Sequence, residues 1–255
     1  MANYNLVADV SSHNPDTIGF FKTLKQLGVK AVIVKLTEGS NPGTAYANPK
    51  AGNQIRCARQ CGLQVHAYHF ARFTSTTDAV HEAMWFVTHI RRQGLTRDSV
   101  MVVDVEAPEI PRDATPCVNT FLRMVKQVGY DKTDVYASAS WFWEGRLNPT
   151  QLTPKNLWVA AYNNNCPGVN NVGTWQFTNN YQGLHVDMSY DFFGHYTGKV
   201  AKATPAPVRL YYIVVPGDSW WAIAQKFGVN MYDLAKINGK TIKSVIHPGD
   251  RLLIK

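Results

Sequence analysis

Runs of apolar, often β-branched residues recur along the first two-thirds of this chain, and stretches of helical periodicity separate them. Residues 6–10, 30–36, 64–70, 100–105 and 134–139 read as strands; residues 18–27, 53–60, 77–92 and 115–128 read as helices. Strands that are apolar on both faces need cover on both sides. Their alternation with helices predicts a parallel sheet, open or closed into a barrel. The pattern then changes. Residues 157–161, 172–177 and 184–189 read as strands with short Asn- and Gly-rich connections, too short for full helices. The last part of the sheet is therefore expected to close with hairpin-like strands, giving an α/β fold with an irregular barrel.

One strand ends in chemistry. Val100-Met101-Val102-Val103 runs into Asp104-Val105-Glu106. Side chains at i and i+2 of a strand share a face, so the two carboxyls are expected side by side, roughly 6–7 Å apart. Neighbouring acids hinder each other's ionisation, so one stays protonated beside an ionised partner. Glycosidic cleavage uses such a pair. A solvated loop edge or a cap for the next helix is the plainer reading of the same residues.

Composition bounds the alternatives. The chain has 255 residues, 45% hydrophobic and 17% charged, which suits one large domain or a large and a small one. No stretch approaches the ~18 apolar residues of a membrane helix. The start, Met1-Ala2-Asn3-Tyr4-Asn5, has no basic cluster before an apolar core and does not read as a secretory signal. Cys57, Cys61, Cys117 and Cys166 show no Cys-x-x-Cys and no paired zinc spacing. Cys57 and Cys61, four apart on a helix, read as small buried hydrophobes of a reducing compartment. His66 and His69 sit three apart on a strand and face opposite sides, so no shared metal site is expected. No metal or other cofactor is called for.

The net charge of +8 is uneven. Residues 1–198 hold 17 Lys/Arg and 15 Asp/Glu; residues 199–255 hold 9 and 3. The basic tail implies an anionic partner surface, or a solvated face that favours solubility. A small, basic, Pro-containing segment at 199–209 reads as a linker. Beyond it, residues 210–255 read as strand, helix, helix, strand. That unit is small for a free-standing core.

Several segments together match one family. Val7-Ala8-Asp9-Val10-Ser11, Val34-Lys35-Leu36-Thr37-Glu38-Gly39, Ala67-Tyr68-His69-Phe70, Val103-Asp104-Val105-Glu106, Leu157-Trp158-Val159-Ala160-Ala161-Tyr162, Trp175-Gln176-Phe177 and Val186-Asp187 resemble, in order and spacing, the family 25 glycoside hydrolases, the Chalaropsis-type lysozymes. The resemblance covers residues 1–198. It implies an irregular TIM-like barrel of five βα units and three further strands, (β/α)5(β)3. It also implies an acidic cluster of Asp9, Asp104, Glu106 and Asp187 at strand ends. The tail, through Val215-Pro216-Gly217-Asp218-Ser219-Trp220-Trp221 and Ile246-His247-Pro248-Gly249-Asp250, resembles a LysM domain of βααβ fold, a binder of N-acetylglucosamine polymers. Trp220 departs from that pattern, which usually has an aliphatic residue; it reads as core or as a sugar-stacking face.

The resemblance implies an N-acetylmuramidase acting on peptidoglycan. Glu106 is expected to be the general acid. Asp104 is expected to be either a nucleophile or the group that orients the substrate's 2-acetamido group, with Asp9 and Asp187 holding the network. Tyr68, Tyr136, Trp158, Tyr162 and Trp175 are candidates for the sugar cleft, with Tyr68 and Trp175 foremost because they lie in matched motifs; each reads equally as core. Lys35 and Glu38 are expected to support the site. In the tail, Gly217, Asp218, Ser219, Ile246, His247 and Pro248 flank the expected saccharide groove.

The expected partners are peptidoglycan and its anionic wall polymers, with no nucleic acid, no stable membrane insertion and a monomeric chain. An inactive sugar-binding barrel and a chitin-directed enzyme are the alternatives. A wall-cleaving chain that starts without a signal suggests a phage endolysin, made in the host cytoplasm and acting on the wall after release.

Overall fold

The computed structural model describes residues 4–41, 43–162, 166–198 and 211–254. The expected linker, 199–209, lies outside the described residues. The chain divides into a larger and a smaller compact unit.

The larger unit runs β1 (Asn5–Val10), α1 (Ile18–Gln26), β2 (Val29–Glu38), β3 (Tyr46–Ala47), α2 (Ala51–Gln60), β4 (Gln64–Phe70), α3 (Thr76–Arg92), β5 (Met101–Asp104), α4 (Thr115–Gln127), β6 (Thr133–Ser138), α5 (Ala139–Trp143), β7 (Leu157–Ala160), β8 (Val172–Thr178) and β9 (Asp187–Asp191). In the sheet, β1, β2, β4, β5, β6, β7 and β8 follow one another in parallel, and β9 closes the ring antiparallel to β8 and to β1. Five βα units followed by three strands make the (β/α)5(β)3 barrel. The short β3 pairs antiparallel with the end of β2, Thr37 opposite Ala47, and forms a lip outside the ring.

Two expectations need correction. β7 and β8 are parallel, not a hairpin, because the segment between Ala160 and Val172 is long enough to carry the chain back to the same end of the sheet. β9 starts at Asp187, not at 184: Tyr181 and Leu184 are tied in a bridged turn whose central residues, Gln182 and Gly183, have positive φ. The elements β3 and α5 had no sequence signature, being too short to show a period.

Alternation along the strands sorts side chains into two layers. On β5, Met101 and Val103 join the large core beneath the helices, whereas Val102 joins Val7, Ile33, Tyr68, Trp158 and Tyr196 inside the ring. The same parity places Asp104 one step above Val102 and Asp9 one step above Val7. Outside the ring, Phe86 of α3 and Phe121 of α4 stack at 5.9 Å, both wholly buried. Each contributes roughly 1.5–3 kcal/mol by burial. The α3 start is fixed by Ser75, whose Oγ accepts the Asp78 N–H at 3.1 Å, a cap worth about 1 kcal/mol. Cys57 and Cys117 are buried, Cys61 and Cys166 partly so, and all four are free thiols.

The smaller unit is βααβ: β10 (Tyr211–Ile213), α6 (Trp220–Phe227), α7 (Met231–Ile237) and β11 (Arg251–Leu253), with β10 and β11 antiparallel. Its core joins Val214, Trp220, Ile223, Leu234, Leu252 and Ile254. Trp220 is thus a core residue, and its indole N–H donates to the Ser244 carbonyl at 2.8 Å. Ser219 caps α6 by accepting the Ala222 N–H, and Asn230 caps α7 by accepting from Tyr232 and Asp233.

Candidate active site

The carboxyl ends of the parallel strands and the first residue of β9 bring the four acids to one end of the barrel. Asp9 pairs across the sheet with Asp187, and Asp104 lies at the end of β5. The ladder extends one residue further, since the Val105 N–H donates to the Tyr136 carbonyl at 2.9 Å. Glu106, just beyond, is exposed at the rim. Asp9 and Asp104 are 6% and 5% exposed, so neither is hydrated as an ordinary carboxylate.

Burial pushes the Asp9 carboxyl well up. The nearby Asp187 adds to this, and a hydrogen bond from Gln176 opposes it. Burial also raises Asp104 well above the ordinary range. Glu106 raises it further, while Lys35 pulls it down. Glu106, though exposed at the rim, is raised by partial loss of hydration at its carboxyl, moderated by Lys35 and reinforced by Asp187. Asp187 is raised by burial against a hydrogen bond from Tyr162. The acids mostly neighbour one another, and the neutral form of each is favoured. Asp104 Oδ1 is buried and has no hydrogen-bond partner among the described residues.

Of the five aromatic candidates, three reach the acids. Tyr68 is buried inside the ring. Its phenol is held neutral first by burial and then by the charges of Asp9, Asp104, Asp187 and Glu106. The Tyr136 hydroxyl donates to Gln176 Oε1 at 2.9 Å. Tyr162, half exposed, stands 2.8 Å from Gln176 Oε1 and 3.3 Å from Asp187 Oδ1.

The structure does not bring the other two to the cleft. Trp158 is 2% exposed, packs on Tyr136 and Tyr196 and donates its indole N–H to Ser189; it offers no ring face to a sugar. Trp175 follows the opposite parity to Gln176. It packs outside the ring near Phe177 and Tyr190, with its indole N–H on the Ala161 carbonyl. The residue of that motif which does reach the acids is Gln176, buried at 2% exposure, with Nε2 donating to Asp9 Oδ2 at 2.9 Å. Sequence reasoning passed over it.

Beside the acids lies a cleft of about 620 Å³, lined among others by Ser11, His13, Lys35, Tyr46 and Arg72. Lys35 connects it to the acids. Its ammonium lies 2.7 Å from Glu38 and over the Phe70 ring at 4.5 Å, and its charge acts on Asp104 and Glu106. Arg72 pairs with Glu38 at 2.6 Å and also with Glu109. Behind it, Glu82 accepts the Arg72 backbone N–H and lies 2.8 Å from His69, whose other ring nitrogen meets Thr37. Lys35 and Glu38 are therefore tied to the rim of the site by a buried support that includes His69 and Glu82. His66 faces the other way, into the ring, against Tyr196 and the Val100 N–H.

In the smaller unit, the two segments flanking the expected groove are adjacent: the Gly249 N–H donates to the Val214 carbonyl and the Val214 N–H to the Asp250 carbonyl. Gly217, Ser219, His247 and Pro248 are exposed, Asp218 and Ile246 partly buried. The Asp218 carboxylate accepts the Val215 N–H at 2.8 Å, so it closes its own turn. Ile246 packs against the small core.

Comparison with known proteins agrees with this geometry. Residues 8–186 match the profile of Glycosyl hydrolases family 25, and residues 212–255 match the LysM domain. A hydrolase of Streptococcus mutans serotype c is 42% identical over 43 residues, 17% of this chain and 20% of that protein, so the chain spans only a fifth of that relative. Among solved structures, the CTP1L endolysin superposes with a TM-score of 0.64 at 28% identity, over 75% of this chain and 68% of that one. The modular autolysin LytC of Streptococcus pneumoniae superposes with 0.63 at 24% identity, over 74% and 47%. A family 25 glycosyl hydrolase of Bacillus anthracis superposes with 0.60 at 20% identity, over 75% and 91%; the last two likenesses bear on the fold alone. With more than half its length matched by one family profile, the chain belongs to glycosyl hydrolases family 25.

Proposed function

We propose that this enzyme is an N-acetylmuramidase that cleaves the β-1,4 bond from N-acetylmuramic acid to N-acetylglucosamine in peptidoglycan, in the manner of an endolysin acting on the host wall after release. The observation that carries the reading is the pairing of Asp104 and Glu106. One is a buried acid with an oxygen that has no partner among the described residues, and the other an acid at the open rim. Glu106, raised by partial loss of hydration, is the proton donor to the leaving glycosidic oxygen. Asp104 Oδ1 is the acceptor for a substrate N–H, such as that of the 2-acetamido group. Held there, the acetamido oxygen attacks the anomeric carbon as the C–O bond breaks and the leaving oxygen takes the Glu106 proton. Glu106, now a base, activates the water that opens the cyclic intermediate, with net retention. Asp9 and Asp187 govern the charge of the cluster, and Tyr68, Tyr136 and Tyr162 border it.

We assign the catalytic domain to residues 1–198, the linker to 199–209 and the wall-binding domain to 210–255. Tethering by the LysM domain raises the local concentration of substrate at the barrel. Its basic charge favours anionic wall polymers and weakens with salt. A chain truncated after Gly198 is expected to keep its chemistry and lose affinity for walls; full retention of wall binding at high salt would contradict the tail's role. The test of the activity is a digest of purified peptidoglycan, reduced with borohydride and read by mass spectrometry. New muramitol ends support the reading. Glucosaminitol ends move the cut to the other bond, and no new reducing ends refute hydrolysis of this polymer.

A further inference from the structure

Gln176 is a neutral side chain bonded to several members of the acid cluster and its surroundings. It sits on β8 with its side chain inside the ring, 2% exposed. Its amide touches three elements at once. Nε2 donates to Asp9 Oδ2 on β1 at 2.9 Å, and Oε1 accepts from the hydroxyls of Tyr136 on β6 at 2.9 Å and Tyr162 beyond β7 at 2.8 Å. We propose that Gln176 is a positioning residue: its amide, oriented by a phenol hydroxyl, presents an N–H to Asp9 and so opposes the protonation of Asp9. Burial and Asp187 favour that protonation. The inference rests on the reading of this cluster as the hydrolytic centre.

The chemistry of the amide gives the reason. A carboxamide has one accepting end and one donating end. With the Tyr136 phenol donating to the oxygen, the NH2 is turned to Asp9, and a carboxyl accepts it more strongly when ionised. The reversed amide would set its oxygen against Asp9, which is tolerable only if Asp9 carries a proton. The observed orientation therefore stabilises the ionised form of Asp9 relative to the neutral one.

Every other ionisable group facing Asp9 except Lys35 works the opposite way or is neutral. Asp187 on β9 and Glu106 after β5 both disfavour its charge, and Asp104 repels it as well. Tyr68 on β4, Tyr136 and Tyr162 are phenols held neutral, as is the more distant Tyr196. Lys35 on β2 directs its charge to Asp104 and Glu106. Gln176 is thus the side-chain donor that Asp9 has among the described residues. The Tyr162 hydroxyl, within reach of both Gln176 and Asp187, extends the link to the second acid of the pair.

Two variants separate this role from a structural one. Gln176→Met keeps the volume and removes the donor. It is expected to move the acidic limb of the pH profile of kcat/KM on purified walls upward by about one pH unit, because Asp9 then holds its proton to higher pH. Gln176→Glu restores a donor only while that new acid is protonated, so it should work at acidic pH and lose activity on a lowered alkaline limb. In parallel, 13C-carboxyl NMR with aspartate labelling, with the Asp9 resonance assigned through Asp9→Asn, should report a higher Asp9 titration midpoint in Gln176→Met than in wild type. Opposite movements of the two limbs and the raised midpoint support the proposal. A constant loss at every pH with an unchanged Asp9 midpoint, or unchanged profiles, overturns it. If Gln176→Met does not fold, Gln176→Glu at acidic pH carries the test. If wild type cleaves no wall polymer, the functional reading fails, while the Asp9 midpoint still decides the role of Gln176.

Discussion

The two ends of the barrel both bury aspartates, and they treat them differently. At the amino-terminal end, Asp191 is wholly buried and accepts from the backbone N–H groups of His195, Tyr196 and Thr197 and from the Thr197 hydroxyl. Asp134, equally buried, accepts from the Tyr196 hydroxyl at 2.6 Å, from Asn156 at 2.6 Å and from the Val135 N–H at 2.8 Å. Burial still outweighs these donors and lifts Asp134 to about 8. Even β8 is shaped for this arrangement: a Cβ on Gly173 would fall 1.6 Å from Asn156 Oδ1, so only glycine fits. Together these bonds seat Tyr196 as a plug in the ring. At the carboxyl-terminal end, the acids face other acids, and among the described residues the donors are few and one oxygen of Asp104 has none. A buried acid surrounded by donors is a tie that holds structure. A buried acid surrounded by acids is costly to the fold and useful for moving protons.

That contrast can be broken at either end. The largest effect is expected from Glu106→Gln, which removes the proton donor and should lower kcat/KM by about 10³-fold, with a melting temperature close to wild type; activity within tenfold of wild type would move the acid elsewhere. Next is Asp191→Ala, which orphans the buried Tyr196 N–H and the part-buried N–H groups of His195 and Thr197 and should cost about 3 kcal/mol in urea unfolding. Its activity per folded molecule should stay near that of wild type. A neutral effect on stability would remove the distinction between the two ends.

The smallest effect has the opposite sign. The Asp104 carboxyl is raised in the fold, so the fold favours its protonated form, and that contribution is lost as pH rises through its folded pKa. Asp104→Asn should therefore melt higher than wild type at neutral pH while losing activity, and the gain should vanish below about pH 4, where the unfolded carboxyl is also protonated. A variant less stable than wild type at neutral pH would mean that Asp104 is structurally tied after all. The same linkage makes Asp134 a source of falling stability between about pH 4 and its folded value of about 8.

The sheet and the Asp104 and Glu106 pair were legible from the strand patterns, while Asp9 and Asp187 came with the family resemblance. The i, i+2 spacing of Asp104 and Glu106 needs only the period of a strand. What escaped depends on neighbours far apart in sequence. Trp175 and Gln176 are adjacent, and only the register of β8 decides which faces the acids; a shift of one residue exchanges them. Trp158 shares the inward face with Tyr136 yet lies beneath the acid layer, since ring depth is set by the stagger of the strands. The tie at the other end joins Asp134, Asn156, Gly173, Asp191 and Tyr196 from separate segments, none of which forms a motif. In the smaller unit, sequence reasoning passed over Ser219 and Asn230 as the caps of its two helices, and over the Asp218 carboxylate closing its own turn.

The most direct measurement is a paired assay of Glu106→Gln and Asp191→Ala, each scored for wall solubilisation per folded molecule and for unfolding free energy at pH 6. The account predicts a double dissociation: Glu106→Gln folds like wild type and is nearly inactive, while Asp191→Ala unfolds more readily and turns over normally when folded. Normal turnover by Glu106→Gln, or loss of turnover with unchanged stability in Asp191→Ala, would contradict the assignment of chemistry to one end of the barrel and structure to the other.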